Sequence, residues 1–405
     1  MTELIKYVIG IDIAKDKFDT CLMSMDVELN YKVKATRKFS NNPCGYQELL
    51  GWMDKHCKGK TPRQSLLEAS GVYHEQLAIF LTDKGKKVFV VLPNKARKYM
   101  QSLGYKSKND KIDAQGLALM CAQQKFDPWQ PISKFYYQLR LLTRHFQSTQ
   151  ESKTAIMNQH HALQHSGYPS KEVNKQLEKT IAFYNNQVKE TKQYIINHVS
   201  SNEEVKRKID QICVIKGLDV LSVATILAET NGFELFKNKA QLISYAGYDV
   251  IENSSGNHVG KTKISKKGNS RIRRILHMPA FNVVKYKETA FANLHERVYT
   301  KTKIKMKAYV AVQKKILIVI HSLWKKDEAY QKQCNIVETS GNEESRAFFP
   351  LNTGFKTTNQ RKKIVPLKSD TTQDELRYKE SSEALFPYNK LKKINLKKNK
   401  KMLAN

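Results

Sequence analysis

The segment Tyr7-Val8-Ile9-Gly10-Ile11-Asp12-Ile13 decides the fold of the N-terminal part of this 405-residue sequence. It is a short and almost wholly apolar run, which predicts a buried strand. Further strands are predicted at residues 17–23, 27–39, 65–67 and 88–92, and stretches with helical spacing lie between the later ones. Three strands followed by alternating helices and strands predict an α/β domain with a mixed sheet.

The middle of the chain is predicted to be helical throughout. Apolar residues recur every three or four positions from Phe135 onward, and a second run with nearly heptad spacing covers residues 173–199. Between the two, residues 167–170 (Gly-Tyr-Pro-Ser) break the pattern. We expect an antiparallel helical hairpin that forms a coiled-coil arm. Ser201 and Glu204 have the spacing of a capping box, which predicts a third helix capped by Ser201.

Positive charge is the strongest compositional feature, because 70 Lys and Arg residues against 38 Asp and Glu residues give a formal net charge of +32. The surplus is concentrated: residues 261–330 carry +14 and residues 356–405 carry +9. Such self-repulsion destabilises a compact fold, so we expect a polyanionic partner. Apolar periodicity ends near residue 331, which predicts a basic, poorly ordered tail over residues 331–405. A tail that serves only solubility is the alternative.

Several classes of protein are excluded by composition. No run of about 18 apolar residues occurs, which excludes a membrane-spanning helix. The six cysteines are scattered without a Cys-x-x-Cys pair, which argues against a disulfide framework or a zinc knuckle. The first residues do not have the pattern of a secretory signal. We therefore expect a cytoplasmic, nucleoid-associated protein with no membrane partner.

Four acidic residues are placed where they could meet. Asp12 closes the first strand and Glu68 closes the fourth, and a carboxylate in that position needs solvent, a cation or hydrogen bonds. Asp110 and Asp113 are three positions apart, so a helix puts both on one face. If that helix packs across neighbouring strands, the four carboxylates converge, and their mutual repulsion requires cations. Two Mg²⁺ ions would compensate the charge and activate a nucleophile at a phosphorus centre.

Each acid has a plainer explanation when it is taken alone. A single aspartate after a strand is commonly a turn former or a helix cap, and the Asp110–Asp113 pair could be an exposed helical face. Asp16 and Asp19 compete with Asp12 but are better explained by a turn that follows the strand. The combination of all four acids with a ribonuclease-H-like strand order is what indicates a metal site.

A candidate nucleophile, Ser255, lies in the turn Ser254-Ser255-Gly256. A Gly- and Lys-rich loop and the basic start of a helix follow it, and both suit phosphate oxygens. A hydroxyl held beside a phosphodiester could attack it if activated, whereas an ordinary Ser-Gly turn is the alternative. The candidate nucleic-acid-binding residues of this region are Lys261, Lys263, Lys266, Lys267, Arg271, Arg273 and Arg274.

Two sets of motifs, in order along the chain, resemble one known family. The first set is Gly10-Ile11-Asp12, the strand-end Glu68 and the Lys-x-Asp-x-x-Asp-Ala motif of residues 108–114. The second begins with a helix-hairpin-helix-like Gly-x-x-x-x-Ser-x-Ala motif at Gly217, for which a plain loop between packed helices is the alternative. It continues with Phe236, Ala246-Gly247, Ser255-Gly256, Ile-Ser-Lys-Lys-Gly-Asn at residues 264–269, and Arg273-Arg274. Over residues 5–330 the sequence resembles the insertion-sequence-110 family of DEDD transposases, also described as bridge-RNA-guided recombinases.

The resemblance has specific implications for this chain. Asp12, Glu68, Asp110 and Asp113 would be the metal ligands of a RuvC-like domain, and Ser255 would be the nucleophile. The serine of one subunit would attack DNA beside the carboxylates of another, with a covalent phosphoserine intermediate and strand exchange. A structured RNA encoded in the same element would pair with donor and target DNA. The sequence departs from the family pattern at Asn109, where Thr or Ser is commoner, and at residues 248–250, where Tyr-Asp-Val replaces Leu-x-Pro.

The predicted architecture is α/β plus α, in four segments. Residues 1–130 would form a ribonuclease-H/RuvC-like DEDD catalytic domain, 131–205 the coiled-coil arm, 206–330 a mainly helical transposase domain with Ser255, and 331–405 the tail. The predicted function is a transposase or recombinase that uses two Mg²⁺ ions, binds donor DNA, target DNA and a guide RNA, and assembles as a homodimer or tetramer. The alternatives are a metal-dependent, structure-specific nuclease and a catalytically silent nucleic-acid-binding protein.

Overall fold

The computed structural model describes residues 3–57, 59, 61–104, 109–252, 254–256, 258–260 and 262–331. Lys261 and the predicted tail, apart from its first residue Gln331, lie outside the described residues. Within those ranges, no helix is both long enough and apolar enough to cross a membrane.

A five-stranded mixed sheet forms the N-terminal part of the protein. Its strands are β1 (Leu4–Ile13), β2 (Lys17–Asp26), β3 (Tyr31–Ser40), β4 (Arg63–Glu68) and β5 (Lys87–Val91). Their order is β3-β2-β1-β4-β5. The pairs β1–β2 and β2–β3 are antiparallel, whereas β1–β4 and β4–β5 are parallel. This is the mixed α/β sheet that the sequence predicts.

Helices cover both faces of this sheet, which explains why β1 is an apolar run. On one face, α1 (Pro43–His56) and α2 (Glu75–Asp83) pack with inward side chains such as Ile9 and Ile11. On the other face, α3 (Pro93–Ser102) and α4 (Asp110–Gln123) pack against Val8. A central strand covered on both sides buries apolar residues at consecutive positions rather than at alternate ones.

The predicted third strand begins four residues too early, because Asp26 organises a turn. The Asp26 carboxylate accepts hydrogen bonds from the backbone N–H groups of Glu28 and Asn30, at 3.1 and 2.9 Å. Residues 27–30 therefore form the β2–β3 turn, and pairing starts at Tyr31. Aspartate side chains that bond to the backbone two to four residues later favour such turns.

Two long helices follow the sheet. The first, α5 (Lys134–Gln164), and the second, α6 (Lys171–Ser200), pack against each other on either side of the predicted break. Ser133 and Ser170 cap them by accepting hydrogen bonds from backbone N–H groups. The predicted third helix is present as α7 (Glu203–Cys213), but its cap is Asn202, which accepts from Val205 N–H. The predicted capping role of Ser201 is wrong, because Ser201 instead ends α6.

The remaining helices enclose a second apolar core, which includes Ile209, Val223, Ile272 and Ile316. They are α8 (Val220–Thr230), α9 (Lys239–Ala246), α10 (Ser270–Ile275), α11 (His277–Lys285), α12 (Thr289–Thr302) and α13 (Lys305–Lys326). Between α9 and α10 the chain forms four two-residue strands: β6 (Val250–Ile251), β7 (Ser254–Ser255), β8 (His258–Val259) and β9 (Lys263–Ile264).

Candidate active site

The four predicted acids occupy three elements that pack together. Asp12 lies near the end of β1 and Glu68 ends the parallel neighbour β4, whose Leu67 is in register with Ile11. Asp110 and Asp113 lie in the first turn of α4, which the Asn109 side chain caps by accepting from Ile112 N–H at 2.8 Å. Because α4 packs on β1, its first turn meets the ends of both strands.

A glycine in β1 sets how closely α4 approaches. A Cβ atom at Gly10 would overlap the Ala114 carbonyl oxygen and would lie 2.9 Å from Ala118 Cα. Real Cβ atoms do not approach other atoms this closely, so only glycine fits between this strand and this helix. The close crossing brings the first turn of α4 beside Asp12, two positions after Gly10.

The pKa of Asp12 reflects the closeness of the other acids. Burial, followed by the negative charges of Asp113, Glu68, Asp110 and Asp19 in that order, raises the pKa of Asp12 from 3.8 to about 6. Both causes disfavour the ionised carboxylate. The structure therefore brings all four predicted acids into one electrostatic cluster, and it adds Asp19 to them.

Asp19 is not the turn residue that the sequence predicts. It lies within β2, directly across from Asp12 in the antiparallel ladder. Its carboxylate lies 3.2 Å from Lys38 Nζ, and the same ammonium lies 4.0 Å from an Asp110 carboxylate oxygen. The hydrogen bond that the Lys38 ammonium donates to Asp19 raises the pKa of Lys38, so the ammonium stays charged beside the cluster. Asp16, in contrast, does lie in the turn after β1.

The chemistry of these donors fits a hard divalent cation. Carboxylate oxygens are the ligands that Mg²⁺ prefers, and like-charge repulsion at Asp12 is what a cation would relieve. In the part of the chain that the structure describes, however, no group of three or more His, Cys, Asp or Glu side chains is close enough to hold a metal ion. The acids thus form a cluster of negative charge rather than a closed coordination sphere.

Ser255 lies on an exposed hairpin that is separate from the sheet of the acids. It belongs to β7, which pairs with β8 so that Ser255 faces His258 in the ladder. Ser255 is exposed, and the following Gly256 has a φ of +54° with open space around it. A left-handed residue at this point lets the chain reverse. The hairpin thus presents the serine to solvent.

The predicted basic residues fall into two groups. Lys263, Lys266 and Lys267 are exposed on the segment that follows Ser255. Two of the arginines instead bind groups within the fold. Arg273 donates to the Ala246 carbonyl at 2.7 Å, and Arg274 forms an ion pair with Glu151. Arg271, Arg274 and the Gly217 turn line a cleft of about 570 Å³ against α5.

Two family models match the chain. The DEDD transposase model of the IS110 family matches residues 9–169, and the model described as "Transposase IS116/IS110/IS902 family" matches residues 210–296. The chain belongs to the IS110 family of transposases. The enzyme is therefore a transposase, which cuts and rejoins DNA.

Curated relatives of this IS110 transposase include the pilin gene-inverting proteins of Moraxella bovis and Moraxella lacunata. Each is 26% identical over 329 residues, which cover 81% of this chain and 98% of the relative. Among solved structures, Thermus thermophilus RuvC matches with 12% identity and a TM-score of 0.24, over 30% of this chain and 99% of RuvC.

Sequence reasoning missed one carboxylate of the transposase, Glu229. It is fully buried in α8, and its two carboxylate oxygens accept from Arg144 Nε and Nη2 at 2.8 and 2.9 Å. A usable signal was present, because Glu229 directly follows the apolar residues Ile226-Leu227-Ala228 on a helix. A carboxylate in that setting requires a cation and hydrogen-bond donors.

Proposed function

We propose that this transposase cuts and rejoins DNA with Ser255 as its nucleophile and the acidic cluster as its second catalytic part. The observation that carries the proposal is the convergence on Asp12 of three further acids from β4 and α4. The exposure of Ser255 on a lysine-rich segment supports its role as the nucleophile. In this proposal the serine attacks the phosphodiester and the acidic cluster holds the cations.

The proposed step is a transesterification. The Ser255 hydroxyl gives up its proton, its oxygen forms a bond to phosphorus, and one ester bond of the DNA backbone breaks. The departing oxygen takes up a proton, which leaves a phosphoserine ester and a free hydroxyl. Attack by a hydroxyl of another strand on that ester reverses the step, releases the serine and joins the strands. No oxidant or reductant is required.

Asp12, Glu68, Asp110 and Asp113 would hold the divalent cations, which we propose to be two Mg²⁺ ions. Bound there, the cations would stabilise the negative charge that develops on phosphate oxygens. Lys38, which lies between Asp19 and Asp110, would limit the net negative charge of the cluster before cations bind.

We further propose that the complete site forms between subunits. The Ser255 hairpin lies outside the five-stranded sheet that carries the acids, and the serine would be contributed by a neighbouring chain of a homodimer or tetramer. The corresponding division would be a catalytic domain over residues 1–130, a coiled-coil arm over 131–205 and a transposase domain over 206–330. Lys263, Lys266 and Lys267 would contact phosphates of DNA or of a guide RNA.

The test is a strand-exchange assay on a plasmid that carries both flanks of the gene, with RNA transcribed from those flanks. The wild-type chain should form a detergent-stable protein–DNA adduct, and Ser255→Ala should abolish both the adduct and the joined product. Ser254→Ala removes the neighbouring hydroxyl and should retain both. An adduct that persists in Ser255→Ala overturns the nucleophile. Cleavage that continues without any adduct would instead support the metal-dependent nuclease, in which water attacks.

A further inference from the structure

The Ser255 hairpin extends from a tightly packed base. Beyond β6 and β9, Ser265 N–H donates to the Asp249 carbonyl at 2.7 Å, and Lys266 N–H donates to the Gly247 carbonyl at 3.1 Å. The base ends at Gly268, where a Cβ atom would collide with the backbone of α9 and Gly247. The serine is therefore carried on a short ladder whose position depends on how this base is held.

A buried carboxylate holds the base. Asn269, the residue after Gly268, donates from Nδ2 to Glu229 Oε2 at 2.7 Å, while its N–H donates to the Tyr245 carbonyl at 2.6 Å. The hydroxyl of Tyr245 donates in turn to the Glu229 carbonyl at 3.1 Å. Asn269 also caps α10, because its Oδ1 accepts from the N–H groups of Arg271 and Ile272.

The same carboxylate is tied to the long helix α5. Arg144 binds both oxygens of Glu229, and Arg140 donates to the Ala228 carbonyl at 3.0 Å. Burial opposes ionisation of Glu229, but the bonds and charge of Arg144 together with Asn269 outweigh it and lower the pKa of Glu229. Near its start, α5 is also bonded to α2, through the Tyr137 hydroxyl and the Glu75 carboxylate at 2.7 Å. One helix thus contacts the domain of the acids directly and is linked to the base of the serine hairpin through Glu229.

We propose that Glu229 is a positioning residue for strand transfer: through Arg144 and Asn269 it fixes the base of the Ser255 hairpin relative to α5. The inference rests on the proposed role of Ser255. It predicts that loss of the Glu229–Asn269 bond slows the chemical step while DNA binding is retained. A displacement of about 1 Å in a reacting group costs on the order of 100-fold in rate.

The decisive variant is Asn269→Asp. Aspartate caps a helix as well as asparagine does, so α10 keeps its cap. The amide donor is replaced by a carboxylate that faces Glu229, which converts an attraction into a repulsion. In the strand-exchange assay at saturating DNA, we expect a rate about 100-fold lower with DNA affinity unchanged. A residue that served only as a cap would give the wild-type rate.

The double substitution Asn269→Asp with Glu229→Gln exchanges donor and acceptor, restores one hydrogen bond and keeps one negative charge near Arg144. We expect it to recover the rate to within about tenfold of wild type. Tyr245→Phe, which introduces no charge, should slow the reaction without unfolding the chain. Asn202→Ala is the control for altered capping, because Asn202 caps α7 and lies outside the Glu229 contacts. Its rate should equal that of wild type.

Each outcome has a defined meaning. A wild-type rate in Asn269→Asp, or a folded double variant that stays as slow as the single one, overturns the positioning role. If Asn269→Asp fails to fold, Tyr245→Phe decides: a wild-type rate in that variant overturns the positioning role. An adduct that survives Ser255→Ala overturns the proposed nucleophile instead. The two failures are therefore distinguishable.

Discussion

Gly10 of β1 and Ala118 of α4 are so close that a methyl group on the glycine would overlap the helix backbone. The contact also sets where the acids lie, because Gly10 is two residues before Asp12 and α4 carries Asp110 and Asp113 in its first turn. A change in the separation of strand and helix would change the spacing of the acids directly.

Gly10→Ala should therefore destabilise the protein and separate the acids. Overpacking of this kind lowers the free energy of unfolding by about 1–3 kcal/mol, so the protein should unfold at a lower temperature. The rate of strand exchange should also fall, because the acids are moved apart. Gly51→Ala is the matched control, since a Cβ at Gly51 of α1 meets nothing within 4 Å. Alanine in a helix is favoured over glycine, and this variant should be at least as stable as wild type. Equal unfolding temperatures for the two variants would contradict the close crossing.

Asp12→Asn should change how stability depends on pH. The folded-state pKa of Asp12 is raised from 3.8 to about 6, so the folded protein binds this proton more tightly than the unfolded chain. The stability that this tighter proton binding contributes is present below about pH 4 and is lost as the pH rises to about 6. With EDTA present, the asparagine variant should match wild type at pH 4 and be about 1–2 kcal/mol more stable at pH 8, because partial exposure screens the repulsion.

Denaturant unfolding at the two pH values measures this difference. Asp16→Asn, the same change in the turn after β1, is the control for removing an aspartate that is not among the charges acting on Asp12. Equal stabilisation of the Asp12→Asn variant at pH 4 and pH 8 would mean that the neighbouring carboxylates do not repel the charge of Asp12. In the strand-exchange assay, Asp12→Asn should be inactive while it still binds DNA.

Exposed lysines near Ser255 should control the salt dependence of DNA binding. For each phosphate contact that is lost, the slope of log K against log salt falls by about 0.9 for duplex DNA. Lys263→Gln with Lys267→Gln should therefore lower the slope by up to about 2, equally for unrelated DNA sequences. Lys179→Gln on the exposed side of α6 provides a control for net charge alone. An unchanged slope in the double variant would remove these lysines from the DNA interface.

Local patterns in the sequence predicted elements better than they predicted contacts. The apolar run around Ile9 and the break after residue 166 indicated β1 and the α5–α6 pair, since burial periodicity and Gly-Pro turns act over a few residues. Asp19 and Glu229 were misjudged or missed because their significance depends on partners distant in sequence, Asp12 in the first case and Arg144 in the second. Asn202, rather than the predicted Ser201, caps α7, because helix-capping propensity does not resolve a shift of one residue.

The length of the hairpin that carries Ser255 determines how far the serine lies from the base of the hairpin. Its base is fixed by the glycine contacts and by Asn269, whereas Gly256 at its turn has open space around it. Extra residues in such a surface turn cost little stability, because closing a longer loop adds only about 0.6 kcal/mol for each doubling of length. One residue pair added to each strand would nevertheless carry the hydroxyl about 7 Å further from the base. The reach of the proposed nucleophile is thus set by strand length, and a longer hairpin would extend it with little change in folding stability.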